Sequence, residues 1–165
     1  MRVLVASLVL SVASGRADAQ STILAPPTIL HGNCLPLSQI GSGSSKSNLD
    51  EHSTRISCDT VVITPMMGDR VLIQFARAAN KRGDVISFGG LFSEPDVVEV
   101  DHLYLNDGQK LETTSGLCRI FRGPVATYKS FVCGARIERG DMAIGTAVAF
   151  NVSNPIKRGT LKARH

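Results

Sequence analysis

Glu99, Asp101 and His102 fall within Val97-Val98-Glu99-Val100-Asp101-His102-Leu103-Tyr104, an alternating stretch that predicts a strand. Carboxylates two apart on one strand face stand about 6.6 Å apart at strand rise. That separation suits a carboxylate pair flanking a glycosidic bond. A glycosidase also needs a cleft lined with aromatic rings, and this chain has no Trp and two Tyr. Strict alternation puts His102 on the apolar face with Val98, Val100 and Tyr104, opposite Asp101. It therefore reads as a hydrogen-bonded boundary histidine and not as half of an Asp-His dyad. Glu99, Asp101 and His102 are the best-placed catalytic candidates, and the expectation is that no residue is catalytic.

The other chemical patterns are weaker. Asp50-Glu51-His52, with His31 upstream, has metal-ligating side chains, but three adjacent polar residues on a loop are the ordinary solvated case. There is no C-x-x-C pair and no H-x₃₋₅-H pair, which removes zinc and thioredoxin-type chemistry. Gly41-Ser42-Gly43-Ser44-Ser45-Lys46-Ser47 looks like a phosphate loop, yet Ser45 stands where a glycine is needed and no strand signal precedes it. It reads as a flexible linker. No G-x-S-x-G elbow is present. Arg82-Gly83-Asp84 and Arg139-Gly140-Asp141 spell an adhesion-like tripeptide twice, but Gly and Asp ahead of a strand are ordinary turn chemistry. Asn151-Val152-Ser153 fits a glycosylation acceptor at the end of an apolar strand. No metal and no cofactor is expected.

The address is clearer than the chemistry. Arg2, the apolar run Val3 to Val12 and the small residues Ala17-Asp18-Ala19 ahead of Gln20 have the three-part layout of a secretory signal peptide cleaved after Ala19. A ten-residue run falls short of the ~20 needed to span a bilayer. Removing Arg2, Arg16 and Asp18 with residues 1–19 takes the formal charge of the 165-residue chain from +4 to +3, too mild a bias to point to nucleic acid. What remains is sized for one domain. Export to an oxidising compartment makes disulfides the expectation for Cys34, Cys58, Cys118 and Cys133.

Along the mature chain, residues 20–57 read as an extended arm and flexible Gly/Ser-rich loop, 58–155 as a β domain and 156–165 as a basic tail. The tail carries Lys157, Arg158, Lys162 and Arg164, which suit an anionic surface such as acidic lipid headgroups or polyanionic glycans. Thr60 to Thr64 and Val71 to Ala76 predict a hairpin, and Gly89-Gly90 predicts a bulge in the strand 84–92. Another turn is expected at Asn106-Asp107-Gly108. Met142 to Val152 alternates large side chains with the small Ala143, Gly145, Ala147 and Ala149, a face that another element can approach closely.

The sharpest inference concerns the strands Leu117 to Arg122 and Ser130 to Glu138. The antiparallel register that opposes Cys118 to Cys133 also opposes Ile120 to Phe131, satisfying a cysteine pair and an apolar pair together. This favours the bridges Cys118–Cys133 and Cys34–Cys58. The expected fold is all-β, a single antiparallel sandwich or small barrel of about seven to eight strands with an irregular N-terminal arm.

The functional expectation is a secreted or periplasmic, non-catalytic binding or structural domain presenting loops to a macromolecular partner of the cell envelope or extracellular space. Alternatives are a hydrolase acting on an envelope polymer, and a subunit of an extracellular assembly, homo-oligomers included, that pairs residues 20–33 with a neighbour's sheet edge.

Overall fold

The computed structural model describes residues 25–77, 86–105 and 108–153. Residues 1–19 with the expected signal peptide, residues 20–24, Arg82-Gly83-Asp84, the Asn106-Asp107 pair and the basic tail with Lys157, Arg158, Lys162 and Arg164 lie outside the described residues.

Among the described residues period-two patterning becomes eleven strands: β1 Thr28–Cys34, β2 Gln39–Ser44, β3 Ser53–Arg55, β4 Thr60–Pro65, β5 Arg70–Ala76, β6 Ile86–Glu94, β7 Val97–Tyr104, β8 Lys110–Glu112, β9 Ser115–Arg122, β10 Tyr128–Arg139 and β11 Met142–Val152. All pairings are antiparallel, in the order β1-β4-β5-β6-β7-β9-β10-β11, and β11 pairs back onto β1. The sheet is therefore a closed barrel.

The strand count exceeds the expected seven to eight because bends split long strands. β1 and β2 both lie along β11, β4 and β3 run beside them, and β8 and β9 both lie along β7. Each of these pairs is one interrupted stave, which leaves an up-and-down meander of eight staves.

The irregular arm expected over 20–57 is corrected by the same pairings. Thr28–Cys34 and Gln39–Ser44 are the staves that close the barrel. Their sequences, Thr-Ile-Leu-His-Gly-Asn-Cys and Gln-Ile-Gly-Ser-Gly-Ser, hide this because closure rests on backbone ladders and close approach. A Cβ on Gly32 would lie 2.0 Å from the Asn151 carbonyl oxygen, and one on Gly41 would lie 2.4 Å from that of Leu49. Gly32 lets β1 meet β11, and Gly41 lets the 3-10 turn Leu49–His52 close down on β2.

The inward faces fill the barrel. Phe75, Phe88, Phe131 and Phe150 are fully buried, and the Phe75 ring centroid lies 5.9, 6.5 and 6.0 Å from those of Phe88, Phe131 and Phe150. Cys118 opposes Cys133 and Ile120 opposes Phe131, the expected register, and the disulfides are Cys118–Cys133 and Cys34–Cys58. The β4–β5 hairpin and the irregularity at Gly89-Gly90 are also where the sequence places them. On β11 the small face receives Leu49 of the short 3-10 turn Leu49–His52, whose Cδ1 would stand 3.1 Å from a Cβ on Gly145.

Candidate functional site

A pair of glycines creates the most chemically loaded part of the outer wall. A Cβ on Gly90 would lie 2.0 Å from the Glu99 carbonyl oxygen, so only glycine lets β6 press this closely on β7. The register then slips: Gly89 opposes His102 while Gly90 opposes Val100, leaving Asp101 as the extra residue of a bulge. Thr113, between β8 and β9, closes the gap. Its amide donates to the Asp101 carbonyl at 3.0 Å and its Oγ1 donates to the Val100 carbonyl at 2.6 Å.

The bulge re-aims every side chain after Val100. Val98, Val100 and then Leu103 are buried in the core, so His102 and Tyr104 leave the inner face assigned to them by strict alternation. That expectation is corrected, and with it the separation of His102 from Asp101. His102 Nδ1 lies 2.6 Å from Asp101 Oδ1, and the Arg70 guanidinium donates to the same oxygen at 2.7 Å. Burial by itself would raise the Asp101 carboxyl, but the hydrogen bonds from Arg70 and His102 and their charges outweigh it and hold it below the usual carboxylate range. The hydrogen bond to Asp101 in turn raises Arg70 above its ordinary value. An ionised carboxylate only accepts, so Nδ1 is the protonated ring nitrogen.

This arrangement orients an imidazole with one nitrogen tied to a carboxylate, the geometry of a positioned base. The Tyr104 ring lies beside it, centroids 6.4 Å apart. Glu99 is an exposed residue opposite Leu91 and Leu117, on the far side of the bulge. His31 and His52 do not join the cluster. His31 Nδ1 lies 3.5 Å from Thr60 Oγ1 on the β1–β4 wall, and His52 ends the 3-10 turn. Asp50 and Glu51 of that turn are engaged by Gln39 at 2.9 Å and Asn48 at 3.4 Å. Among the described residues no three His, Cys, Asp or Glu side chains converge to hold a metal ion.

A second feature is a cleft of about 430 Å³ on the outer wall under the 3-10 turn, floored by Gly41 and Gly145 and edged by Gln39, Asp50, Ser53 and Arg136. Its polar groups satisfy one another. Gln39 donates to Asp50, Ser53 donates to Gln39 at 3.2 Å, and Arg136 donates to Glu138 at 2.6 Å.

Sequence reading missed Arg70, which is 31 positions from its partner, and the role of Thr113. The signal available was the glycine pair opposite an Asp-His step. It also missed the apolar turns: Pro65-Met66-Met67-Gly68 and Gly123-Pro124-Val125 put large apolar side chains where turns favour small polar ones. No protein-family model, no curated protein and no solved structure matches this chain.

Proposed function

We propose that the chain is an exported, non-catalytic binding domain that works at the cell envelope or outside the cell, through its loops and outer wall. The observation carrying this reading is the filled interior. Four phenylalanines and the Cys118–Cys133 bridge occupy the space where a ligand-carrying barrel keeps a cavity, so recognition is left to the surface. The two disulfides suit an oxidising compartment, and the signal-peptide pattern of residues 1–19 supplies a route there.

The test is fractionation of the source cell combined with photo-crosslinking from Met67 and Asn48. The expected result is a chain beginning at Gln20 in the exported fraction, with both disulfides formed and a crosslinked envelope or extracellular component. A full-length, reduced chain retained in the cytosol overturns the reading.

The Asp101–His102 contact favours one second reading, hydrolysis of an envelope polymer with the imidazole as base. Release of soluble fragments from isolated envelope polymer, abolished by His102→Ala, would replace the first reading with this one. For the assembly alternative, the described part of the arm is already engaged within the chain, Thr28 to His31 with β4 and Gly32 to Cys34 with β11.

A further inference from the structure

The outer wall formed by β6, β7, β9 and β10 is more apolar than a solvated face needs to be. Cys118 and Ile120 are buried in the core, so Leu117, Arg119 and Phe121 face out at alternate positions of β9. Leu117 stands opposite Glu99 of β7, Glu99 opposite Leu91 of β6, and Arg119 opposite Val132 of β10. Leu91, Leu117, Phe121 and Val132 are each 41–47% exposed. Single exposed apolar residues are ordinary, but a contiguous group with charges set into it marks a contact surface.

The charges of this wall point to what covers it. Around the patch Arg70 pairs with Asp101, Arg122 with Asp96 and Arg136 with Glu138, all within the chain. Glu99 and Arg119 lie exposed in the patch itself and have no ion pair or side-chain hydrogen bond among the described residues. As diagonal neighbours on β7 and β9 they stand about 7–8 Å apart. A partner surface of one sign would satisfy one of them and leave the other desolvated without a counter-ion, which a close contact does not tolerate. A surface carrying the same acid and the same base satisfies both.

We propose that this wall binds the same wall of a second copy, forming a two-fold symmetric dimer. In such a contact the axis lies in the plane between the walls, and each copy meets its own pattern reflected across that axis. With strands about 4.8 Å apart and alternate residues about 6.6 Å apart, the axis that exchanges Glu99 and Arg119 passes within about 2 Å of Leu117. Leu117 then meets its own counterpart, Glu99 meets Arg119 of the second copy on both sides of the axis, and Leu91 falls beside Phe121 of the second copy. The axis runs on over Gly134, opposite Leu117 on β10, which puts no side chain between the walls. Four strands by three outward positions cover about 400 Å² of wall per copy, which places the dimer among weak, concentration-dependent associations. The loops at both barrel ends stay free, so the dimer goes beyond the exported-binding-domain reading and does not depend on it.

The experiment is sedimentation equilibrium of the purified, disulfide-bonded chain 20–165 at concentrations up to about 1 mM. A monomer–dimer equilibrium with a dissociation constant of about 10–500 μM is expected. Leu117→Asp places a carboxylate at the axis and should weaken the dimer at least about tenfold. Glu99→Lys opposes two cations across the contact and Arg119→Glu opposes two carboxylates, so each alone should weaken it by a similar factor. Mixed one to one, the two charge variants should associate again at close to wild-type strength, because every acid then faces a base. All three substitutions fall at exposed positions, and melting temperatures close to wild type should show that the fold is kept. The proposal is overturned by a chain that stays monomeric throughout, by a dimer that survives Leu117→Asp, or by charge variants that fail to rescue each other. A photo-crosslinker at position 117 that captures only envelope components, and never a second copy, overturns it as well. Monomeric behaviour leaves the export reading standing, and cytosolic retention removes that reading whatever the sedimentation shows.

Discussion

The ladder of this barrel is interrupted at two places that solve the same problem differently. Between β1 and β2, residues Leu35-Pro36-Leu37-Ser38 interrupt the stave, and the freed backbone groups of Ala149 on the neighbouring strand are taken by the Ser38 side chain together with the Leu35 amide, which donates to the Ala149 carbonyl at 2.7 Å. Ser38 Oγ donates to the Ala149 carbonyl and accepts from the Ala149 amide, both at 3.1 Å, and Ser38 itself is fully buried. Its own amide returns to the Leu35 carbonyl and its carbonyl takes the Ile56 amide, while Cys34–Cys58 clamps the stave beside it. At Asp101 on β7, Thr113 takes the freed groups, and the residues displaced outward are ionic: Asp101, His102 and Arg70. A break sealed inside contributes stability. One that opens outward rearranges surface chemistry.

Breaking the first interruption should have the larger effect. Ser38→Ala leaves the Ala149 amide without its partner while the Ala149 carbonyl keeps the Leu35 amide, and a buried unsatisfied group costs about 1–3 kcal/mol. Urea unfolding should show a loss of roughly 1–3 kcal/mol with an unchanged slope. A loss under about 0.5 kcal/mol, the scale of an ordinary surface substitution, would mean the interruption has another seal.

The second interruption should respond more weakly to the equivalent change. Thr113→Val keeps the shape and removes only the 2.6 Å bond to the Val100 carbonyl, a part-buried group. A loss of about 0.5–1.5 kcal/mol is expected. The His102 ring resonances should move with it, as the bulge that holds His102 beside Asp101 relaxes. If Thr113→Val costs as much as Ser38→Ala, the contrast between an inner seal and an outer one fails.

The two interruptions also mark the limits of what the residues disclose. Cys118 opposite Cys133 and Ile120 opposite Phe131 were legible because inward side chains alternate without a break along those strands. The β4–β5 hairpin was legible for the same reason. Strict alternation fails after a bulge: Gly89-Gly90 announced one, but not that the extra residue would fall on the partner strand at Asp101. That single slip moved His102 from the core face to the Asp101 carboxylate. The staves at 28–44 were hidden because their partners on β11 lie at the far end of the sequence, Gly32 opposite Val152 and Gln39 opposite Ala147, and their glycines serve close approach.

The smallest expected effect is the one specific to the outer cluster, and pH separates it from the inner seal. The folded Asp101 carboxyl sits below its ordinary value, so its ionised form is favoured by folding. A depressed carboxylate contributes stability that is present above the unfolded value, about 3.9, and is lost as pH falls through the lower folded value. Asp101→Asn removes this contribution, so its unfolding midpoint should lie slightly below wild type at neutral pH and meet it as pH drops below about 4. The cluster is partly exposed, so the difference should be far smaller than that of Ser38→Ala and should shrink with added salt. Ser38→Ala removes no titrating group, and its deficit should stay parallel to wild type across the same range. Convergence of one variant and parallel descent of the other, read from thermal unfolding between neutral pH and pH 3, is the outcome that keeps the two interruptions distinct. An Asp101→Asn deficit that persists unchanged to low pH would mean the carboxylate is held by shape alone, without the charges of Arg70 and His102.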